Sequence, residues 1–459
     1  MNKSAIILLL FFVLSAMSIL NAQEKVKIDK SNFKLEKDGF DEAWFNIREG
    51  DKCYLRGGGL YTDAAKYYRE AYKFNSENAA LNYKLGVSSL LGNDKQAALS
   101  YFLKARILNT EVADDIVLLT GRAYQYRGDF SKAIDCYNMY SDHGMEKGKI
   151  DPVATRYIKE CNLAIESGLK DGNIKLINLG AEFNSPSDDY SPVPVKEDNL
   201  LYFTTRRQTD KKEDLLRTDN KWNENVFIAT SLGETWSDTG PAGKEIATPL
   251  NEGVLYVDKE NTFMLIYAGW IGNGDILISE FDRGEWTEPE VFNDEMSTPF
   301  RETSVSLTSD GNEIFFTSDR NKSNLGGRDI YQMKRIKKNK WTKPMNLGPL
   351  VNSPGNEESV CSSATGDTIW FSSNGRPGFG AYDVFMALRN DDGTFREAIN
   401  LGMPLNSQWN DISFKPSTIN RNISFFSSDR PGGSGGLDIY KLVRLTAFDL
   451  KADTIKLQY

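Results

Sequence analysis

The sequence predicts two domains of different class, an N-terminal α-helical solenoid followed by an all-β propeller. Three observations predict this: a helical apolar pattern with a period of 34 to 35 residues in the first third, a five-fold strand programme between residues 189 and 440, and an echo of one strand at both ends of that programme. A unit of either kind cannot bury both of its faces alone and has to stack on its neighbours.

The chain has 459 residues, more than one ordinary domain, and its first 22 are set aside before any fold reasoning. Lys3, an apolar run from Ala5 to Leu20, and Asn21-Ala22 before Gln23 read as a secretory signal with a small residue at the cut. The run is short for a membrane span, so the alternative, an uncleaved N-terminal anchor, ranks below it. No cysteine lies near the proposed cut, which leaves a lipid-anchored start unsupported. The mature chain carries no apolar run long enough to span a bilayer.

Residues 41 to 170 read as helical repeats. Ala64, Ala98 and Ala133 recur at 34 and 35 residues, each followed one helical turn later by an aromatic, Tyr68, Phe102 and Tyr137. A small residue lets two helices approach, and the aromatic fills the gap. Gly86 and Gly121 hold an earlier repeated position, while Gly92-Asn93-Asp94 and Gly128-Asp129-Phe130 make turns between paired helices. Copies are placed at 41 to 76, 79 to 110 and 114 to 147, and Asp151 to Gly168 reads as a helix covering the end of the stack.

Residues 173 to 445 read as the propeller, with 446 to 459 as a tail. Each unit opens on an acidic residue: Asp189, Glu252, Glu302, Glu358 and Asp411. An apolar second strand ending in Ser or Thr follows, then an Asp or Asn opening a third strand: Asn225, Asp275, Asp329, Asp383 and Asp438, spaced 50, 54, 54 and 55 apart. Trp236, Trp286, Trp341 and Phe395 mark a fourth strand in four units. Ile177-Asn178-Leu179-Gly180 echoes Met345-Asn346-Leu347-Gly348 and Ile399-Asn400-Leu401-Gly402. That echo makes the N-terminal strand the outermost strand of the last blade, a latch that closes five blades and protects their edges. Six blades would need the tail from Thr446 to Tyr459 to supply strands.

Two resemblances attach to these residues. The helical copies resemble the tetratricopeptide repeat, although the usual Trp and closing Pro are missing from the second copy and Gly57-Gly58-Gly59 loosens the first turn. Thr317-Ser318-Asp319-Arg320 with Asp329-Ile330-Tyr331, and Ser427-Ser428-Asp429-Arg430 with Asp438-Ile439-Tyr440, resemble the WD40-like repeats of TolB-type propellers. The order of exported signal, helical repeats and propeller is similar to periplasmic or outer-membrane-associated proteins of Bacteroidetes-type bacteria. Those often continue into an OmpA-like peptidoglycan-binding domain that is lacking here, and some serve type IX secretion or gliding assemblies. The tetratricopeptide resemblance implies a groove that takes a peptide or helix, the alternative being that the helices only brace the second half; the propeller face is expected to dock a second protein, or outer-membrane or cell-wall components.

The remaining chemistry points away from catalysis. A formal charge of -9 argues against nucleic acid as partner, and the basic run Arg335 to Lys340 reads as a solvated hairpin turn. His143 is the only histidine, which excludes His-dependent triads in the propeller and any multi-histidine metal site. Cys53, Cys136, Cys161 and Cys361 show no zinc spacing; a Cys136–Cys161 bridge and buried free thiols are both open. Gly-rich loops before the third strands read as turns needing positive φ rather than phosphate cradles, because no helix follows them.

Acids that recur once per blade suit architecture better than a catalytic pair with split pKa values. Arg206, Arg320, Arg376 and Arg430 recur beside the second strands, with Trp270 replacing the arginine in unit two. The sharper functional expectation is a ring: Asp189, Glu252, Glu302, Glu358 and Asp411 around one channel mouth, holding a cation such as calcium or a basic partner side chain. The alternative is that each carboxylate accepts backbone hydrogen bonds within its own blade. No other cofactor is expected. The expected function is a non-enzymatic, exported scaffold or adaptor at the cell envelope; the alternative is a carbohydrate-active or peptidase-derived propeller with a carboxylate site.

Overall fold

The computed structural model describes residues 26–35, 38–144, 151–167, 173–208, 221–233, 235–237, 239–248, 250–269, 274–293, 295–296, 298–320, 324–337 and 340–445. The expected signal, the tail and Trp270 lie outside them. The chain divides into two compact units, one helical and one built of strands.

The helical unit contains, among the described residues, α1 (Lys30–Phe33), α2 (Phe40–Arg56), α3 (Tyr61–Phe74), α4 (Ala79–Leu91), α5 (Ala98–Leu108), α6 (Ile116–Tyr126), α7 (Phe130–Gly144) and α8 (Pro152–Ser167). Gly86 of α4 and Gly121 of α6 sit against the rings of Phe102 and Tyr137; an added Cβ would fall 2.6 and 2.5 Å from them. Gly50 of α2 makes the same approach to Tyr68, at 2.6 Å, completing the series. Such contacts leave no room for a methyl group and fix how each helix pair crosses. The Asn78 side chain accepts from Leu81 N and starts α4, and Asp151 Oδ1 accepts from Val153 N and Ala154 N and starts α8.

Helix α8 packs on α6 and α7 through Ala154, Cys161 and Ala164, and through one buried acid. Glu160 accepts from Arg122, Gln125 and Arg156 at 2.9 to 3.0 Å, while the Arg122 guanidinium lies 4.1 Å above the Tyr157 ring. A carboxylate this buried stays charged only because its oxygens are matched by cations and an amide. All four cysteines are free thiols, so Cys136 and Cys161 are not bridged. His143 falls within α7.

The second unit is a five-bladed propeller. Blade I is β2 (Asp189–Val195), β3 (Leu200–Thr205), β4 (Asn225–Thr230) and β5 (Gly240–Pro241). Blade II is β6 (Glu252–Val257), β7 (Phe263–Ala268), β8 (Asp275–Asp282), β9 (Glu285–Trp286) and β10 (Glu290–Val291). Blade III is β11 (Glu302–Leu307), β12 (Glu313–Ser318), β13 (Asp329–Lys337), β14 (Lys340–Trp341) and β15 (Met345–Asn346). Blade IV is β16 (Glu357–Ser362), β17 (Thr368–Ser373), β18 (Asp383–Leu388) and β19 (Ile399–Asn400). Blade V is β20 (Asp411–Pro416), β21 (Ile423–Ser428) and β22 (Asp438–Arg444), completed by β1 (Ile174–Asn178).

β1 runs antiparallel to β22 in the register Ile174↔Arg444 to Asn178↔Tyr440, so the expected latch closes the ring. The innermost strands neighbour one another in the order β2, β6, β11, β16, β20 and back to β2. The aromatic markers sit just inside the rim: Trp286 and Trp341 lie on β9 and β14, Trp236 and Phe395 make single bridges, and the outermost strand of blades I to IV follows them.

The core lies at the seams between blades. Leu265 and Ile276 of blade II meet Val305, Phe316 and Tyr331 of blade III; Phe315 and Ile330 of blade III meet Val360, Phe371 and Phe385 of blade IV. Phe425 and Ile439 of blade V meet Phe183, Phe203 and Phe227 of blade I. Second strands are therefore covered on both faces, which is why they read as continuous apolar runs such as Ile314-Phe315-Phe316 rather than as alternation.

Candidate functional site

The opening acid of each blade is fully buried and held by its own surroundings. Asp189 accepts from Ser185 N and Oγ and from Arg207 Nη2 at 2.8 Å. Glu302 accepts from Thr298 Oγ1, Ser318 Oγ and Arg320 Nη2 at 2.7 to 3.0 Å, and Asp411 from Ser407 N and Oγ and from Arg430. Glu252 accepts from Thr248 Oγ1. A Ser or Thr four residues before the acid recurs in every blade, a signal that sequence reading passed over.

Blade IV corrects the expected residue set. Glu357, not Glu358, pairs across to Ser373 as Glu302 pairs to Ser318, and it accepts from Ser353 N, Ser353 Oγ and Ser373 Oγ at 2.5 to 3.0 Å. Glu358 is one residue further along, half-buried, and takes Arg328 and Thr303 Oγ1 of blade III as partners. Successive strand residues face opposite ways, so a shift of one exchanges a buried scaffold acid for an accessible one. In blade I the arginine on the acid is Arg207, while Arg206 donates to Trp222 O.

These arginines lie over aromatic rings of their own blades: Arg207 over Phe227 at 5.0 Å, Arg320 over Phe316 at 4.8 Å and Arg430 over Phe426 at 5.1 Å. Blade IV has Gly375 at this position; its neighbour Arg376 donates to the carbonyls of Leu350, Val351 and Asn352 instead. Burial raises the carboxyls of Glu302 and Asp411 above the usual range, against the pull of their arginines. Glu357, also desolvated and without an arginine bond, is pushed up to about 7. The five acids, each closed within its own blade, do not form an open acidic mouth, and no group of three or more potential metal ligands occurs among the described residues.

The acids opening the third strands tie loops rather than ligands. Asp329 accepts from Leu325 N and Asn346 Nδ2, Asp383 from Phe379 N and Gly380 N, and Asp438 from Ser434 N, Gly435 N and Asn178 Nδ2. The glycines here serve close approach, correcting the expectation of positive φ. A Cβ on Gly378 would lie 1.7 Å from Asp383 Oδ2, and one on Gly435 would lie 2.0 Å from Ser187 O of the next blade; of the glycines described in the loops before third strands, Gly274 and Gly432 have positive φ.

Three buried asparagines extend the Asn-Leu-Gly echo. Asn184, Asn352 and Asn406 each donate to and accept from one backbone unit of the preceding blade, at Ile439, Ile330 and Val384. Each is followed by the serine that holds the next blade's acid. Asn-Leu-Gly, three residues, Asn-Ser, three residues, Asp/Glu is thus one stitch running from the rim of one blade to the axis of the next.

What the repeat leaves unspent lies around the axis. One residue after the opening acids stand Tyr190, Gly253, Thr303, Glu358 and Ile412; one residue before the third strands stand Glu224, Gly274, Arg328, Tyr382 and Leu437. These positions differ from blade to blade. Tyr190 donates to Glu224, which also takes Asn251 Nδ2 at 3.0 Å, and Arg328 pairs with Glu358. Beside them Ser191, Ser359 and Ser413 hold φ of 52, 55 and 58° in bulges of three inner strands, with the Ser413 hydroxyl 3.4 Å from that of Ser191 and 3.1 Å from that of Ser359. Left-handed backbone at serine is costly and collects where a side chain must be aimed.

No protein-family model matches the sequence, and no curated protein matches it. Among solved structures it is similar to a putative TolB from Agrobacterium tumefaciens, with 15% identity over 56% of this chain and 76% of that one at a TM-score of 0.34. A protein of unknown function from Dyadobacter fermentans gives 14% identity over 56% and 76% at 0.35, and a thermostable family-43 glycoside hydrolase gives 12% over 57% and 90% at 0.38.

Proposed function

We propose that the chain is a non-enzymatic recognition protein of the cell envelope, exported by its N-terminal signal, that docks a protein partner on the axial mouth of the propeller. The observation that carries this is the division of labour among its polar residues. Buried acids that recur in every blade are fixed by their own surroundings and shut away from solvent, while Tyr190, Glu224, Thr303, Arg328, Glu358 and Tyr382, which do not recur, stay half-buried at the axis. A catalytic carboxylate needs a free oxygen beside substrate, whereas Glu358 is spent on Arg328 and Thr303. The helical unit, read as tetratricopeptide-like, supplies a second surface for a peptide or helix. A place in an outer-membrane or type IX secretion or gliding assembly fits that reading.

Purification from envelope fractions of the parent chain against Arg328→Ala and Tyr382→Ala tests it. Loss of one co-purifying protein from both variants, with the melting temperature of Tyr382→Ala unchanged, is the expected result. Identical recovery from all three, or hydrolysis of a glycan or peptide abolished by Glu358→Gln, would overturn the proposal.

A further inference from the structure

The rim of blade III stands apart from the rims of its neighbours in charge. From Lys334 to Met345 the sequence holds six basic residues and no acid. The same hairpin in blade II, Glu280 to Val291, holds five acids against one arginine, and in blade IV, Leu388 to Ile399, three acids against two arginines. In blade I, Thr230 to Pro241 holds two acids and no base. Position in the blade is shared, so the fold does not require this charge. Among the four blades with a rim hairpin its sign is particular to blade III, in a chain whose net charge is negative.

The geometry makes the rim a presented edge. β13 is nine residues long, against six and eight in β18 and β8, and carries β14 and β15 along its outer side. Arg335 lies 4.7 Å over the Trp341 ring and donates to Gly311 O, which stiffens the hairpin, and Lys334 pairs with Glu313. Lys337, Lys340 and Lys343 are exposed and have no such pairing among the described residues. Between the cations an apolar residue points outward: Ile336 is 58% exposed, and Met345 on the same edge is 56% exposed.

An apolar tip costs free energy in water and serves no seam, because the blade cores lie behind it. Nucleic acid would use the lysines and leave Ile336 and Met345 without a role. An acidic protein would be matched by charge but would have to cover a narrow convex edge. A bilayer with anionic headgroups satisfies both chemistries at once: each lysine near the surface gains about 1 kcal/mol, and the aliphatic tip enters the headgroup boundary. We infer that the blade III rim, with Lys337, Lys340, Lys343, Ile336 and Met345, docks this propeller on an anionic lipid surface. The acidic rim of blade II then turns away from the same surface, so the contact is oriented as well as adhesive. This inference does not depend on the axial mouth.

Flotation of the purified full chain with vesicles of phosphatidylethanolamine and phosphatidylglycerol, against vesicles of phosphatidylethanolamine and phosphatidylcholine, tests it at low and physiological salt. Binding to the anionic vesicles alone, weakened by salt, is expected. K337E/K340E/K343E should lower that binding by about a hundredfold, and Ile336→Ser, which keeps every charge, by a few fold. A circular-dichroism melt of each variant, expected to match the parent because all four side chains are exposed, separates lost docking from lost fold. Equal binding to both vesicle types, no binding to either, or a triple variant that floats like the parent would overturn the inference. So would capture by a soluble polyanion with no vesicle binding.

Discussion

Blades III and IV solve one problem in two ways. Each buries a glutamate at the start of its innermost strand, Glu302 and Glu357, and each surrounds it with the hydroxyls of a Ser or Thr four residues earlier and a serine across the sheet. Blade III adds Arg320, stacked on Phe316 and Tyr331; blade IV puts Gly375 in its place. The shared part positions the acid and the arginine keeps it charged. Hydroxyl donors alone hold the geometry but leave the carboxyl titrating near neutrality.

The largest expected effect tests the arginine. Arg320→Met strands a buried carboxylate and should cost about 3 to 5 kcal/mol at pH 8, with most of the loss recovered in the double variant Arg320→Met/Glu302→Gln. A chemical-denaturation series on the four proteins measures it; equal loss in single and double variants would break the comparison.

Next comes pH. Glu357 is raised to about 7 from an unfolded value of 4.5, so the folded state binds its proton more tightly. Its favourable contribution is complete below the unfolded value and is lost as pH rises through about 7. A shift of that size corresponds to about 3 kcal/mol between pH 4.5 and pH 8. Glu357→Gln should therefore stabilise the protein at pH 8 and leave it nearly unchanged at pH 4.5. Because Glu302, Asp411 and Asp115 are raised too, the difference between parent and variant is the quantity to follow, by denaturant midpoints across that range. A flat difference curve would remove blade IV's special status.

Gly375→Ala asks whether blade IV could have accepted a side chain. A Cβ there falls 2.2 Å from Ser353 Oγ and 2.3 Å from Gly355 N, so the substitution should cost about 1 to 3 kcal/mol, read as a lower melting temperature. The smallest effect belongs to Arg376→Ala. Its guanidinium meets only carbonyls and lies 6.0 Å from the Phe385 ring, so about 1 kcal/mol is expected, well below the cost at Arg320.

The same pair of blades shows how far the sequence could be read. Five units, their third-strand openers and the closing strand were legible because each rests on spacing over many residues. The acid of blade IV was misplaced by one because Glu357 and Glu358 are adjacent and chemically alike, and the blade I arginine because Arg206 and Arg207 are; strand alternation then assigns them opposite environments. The Asn-Ser half of the stitch was present in the text at Asn184-Ser185, Asn352-Ser353 and Asn406-Ser407. It was not extended from Asn-Leu-Gly because nothing in composition says that an asparagine will stand in for a backbone partner. The axial residues were illegible for a different reason. They are defined by failing to repeat, and only the closed ring shows that they share a place.

The closing strand also gives the ring a mechanical character. β1 and β22 are antiparallel, with Ile174 opposite Arg444, and the last rung is Leu445 N donating to Asn173 O at 2.7 Å. The chain therefore enters and leaves the ring at the same end of the same pair of strands. Tension between these two points loads the rungs one after another, as a zipper is opened, rather than all together in shear. The ring is thus most easily opened by a pull that separates Asn173 from Leu445.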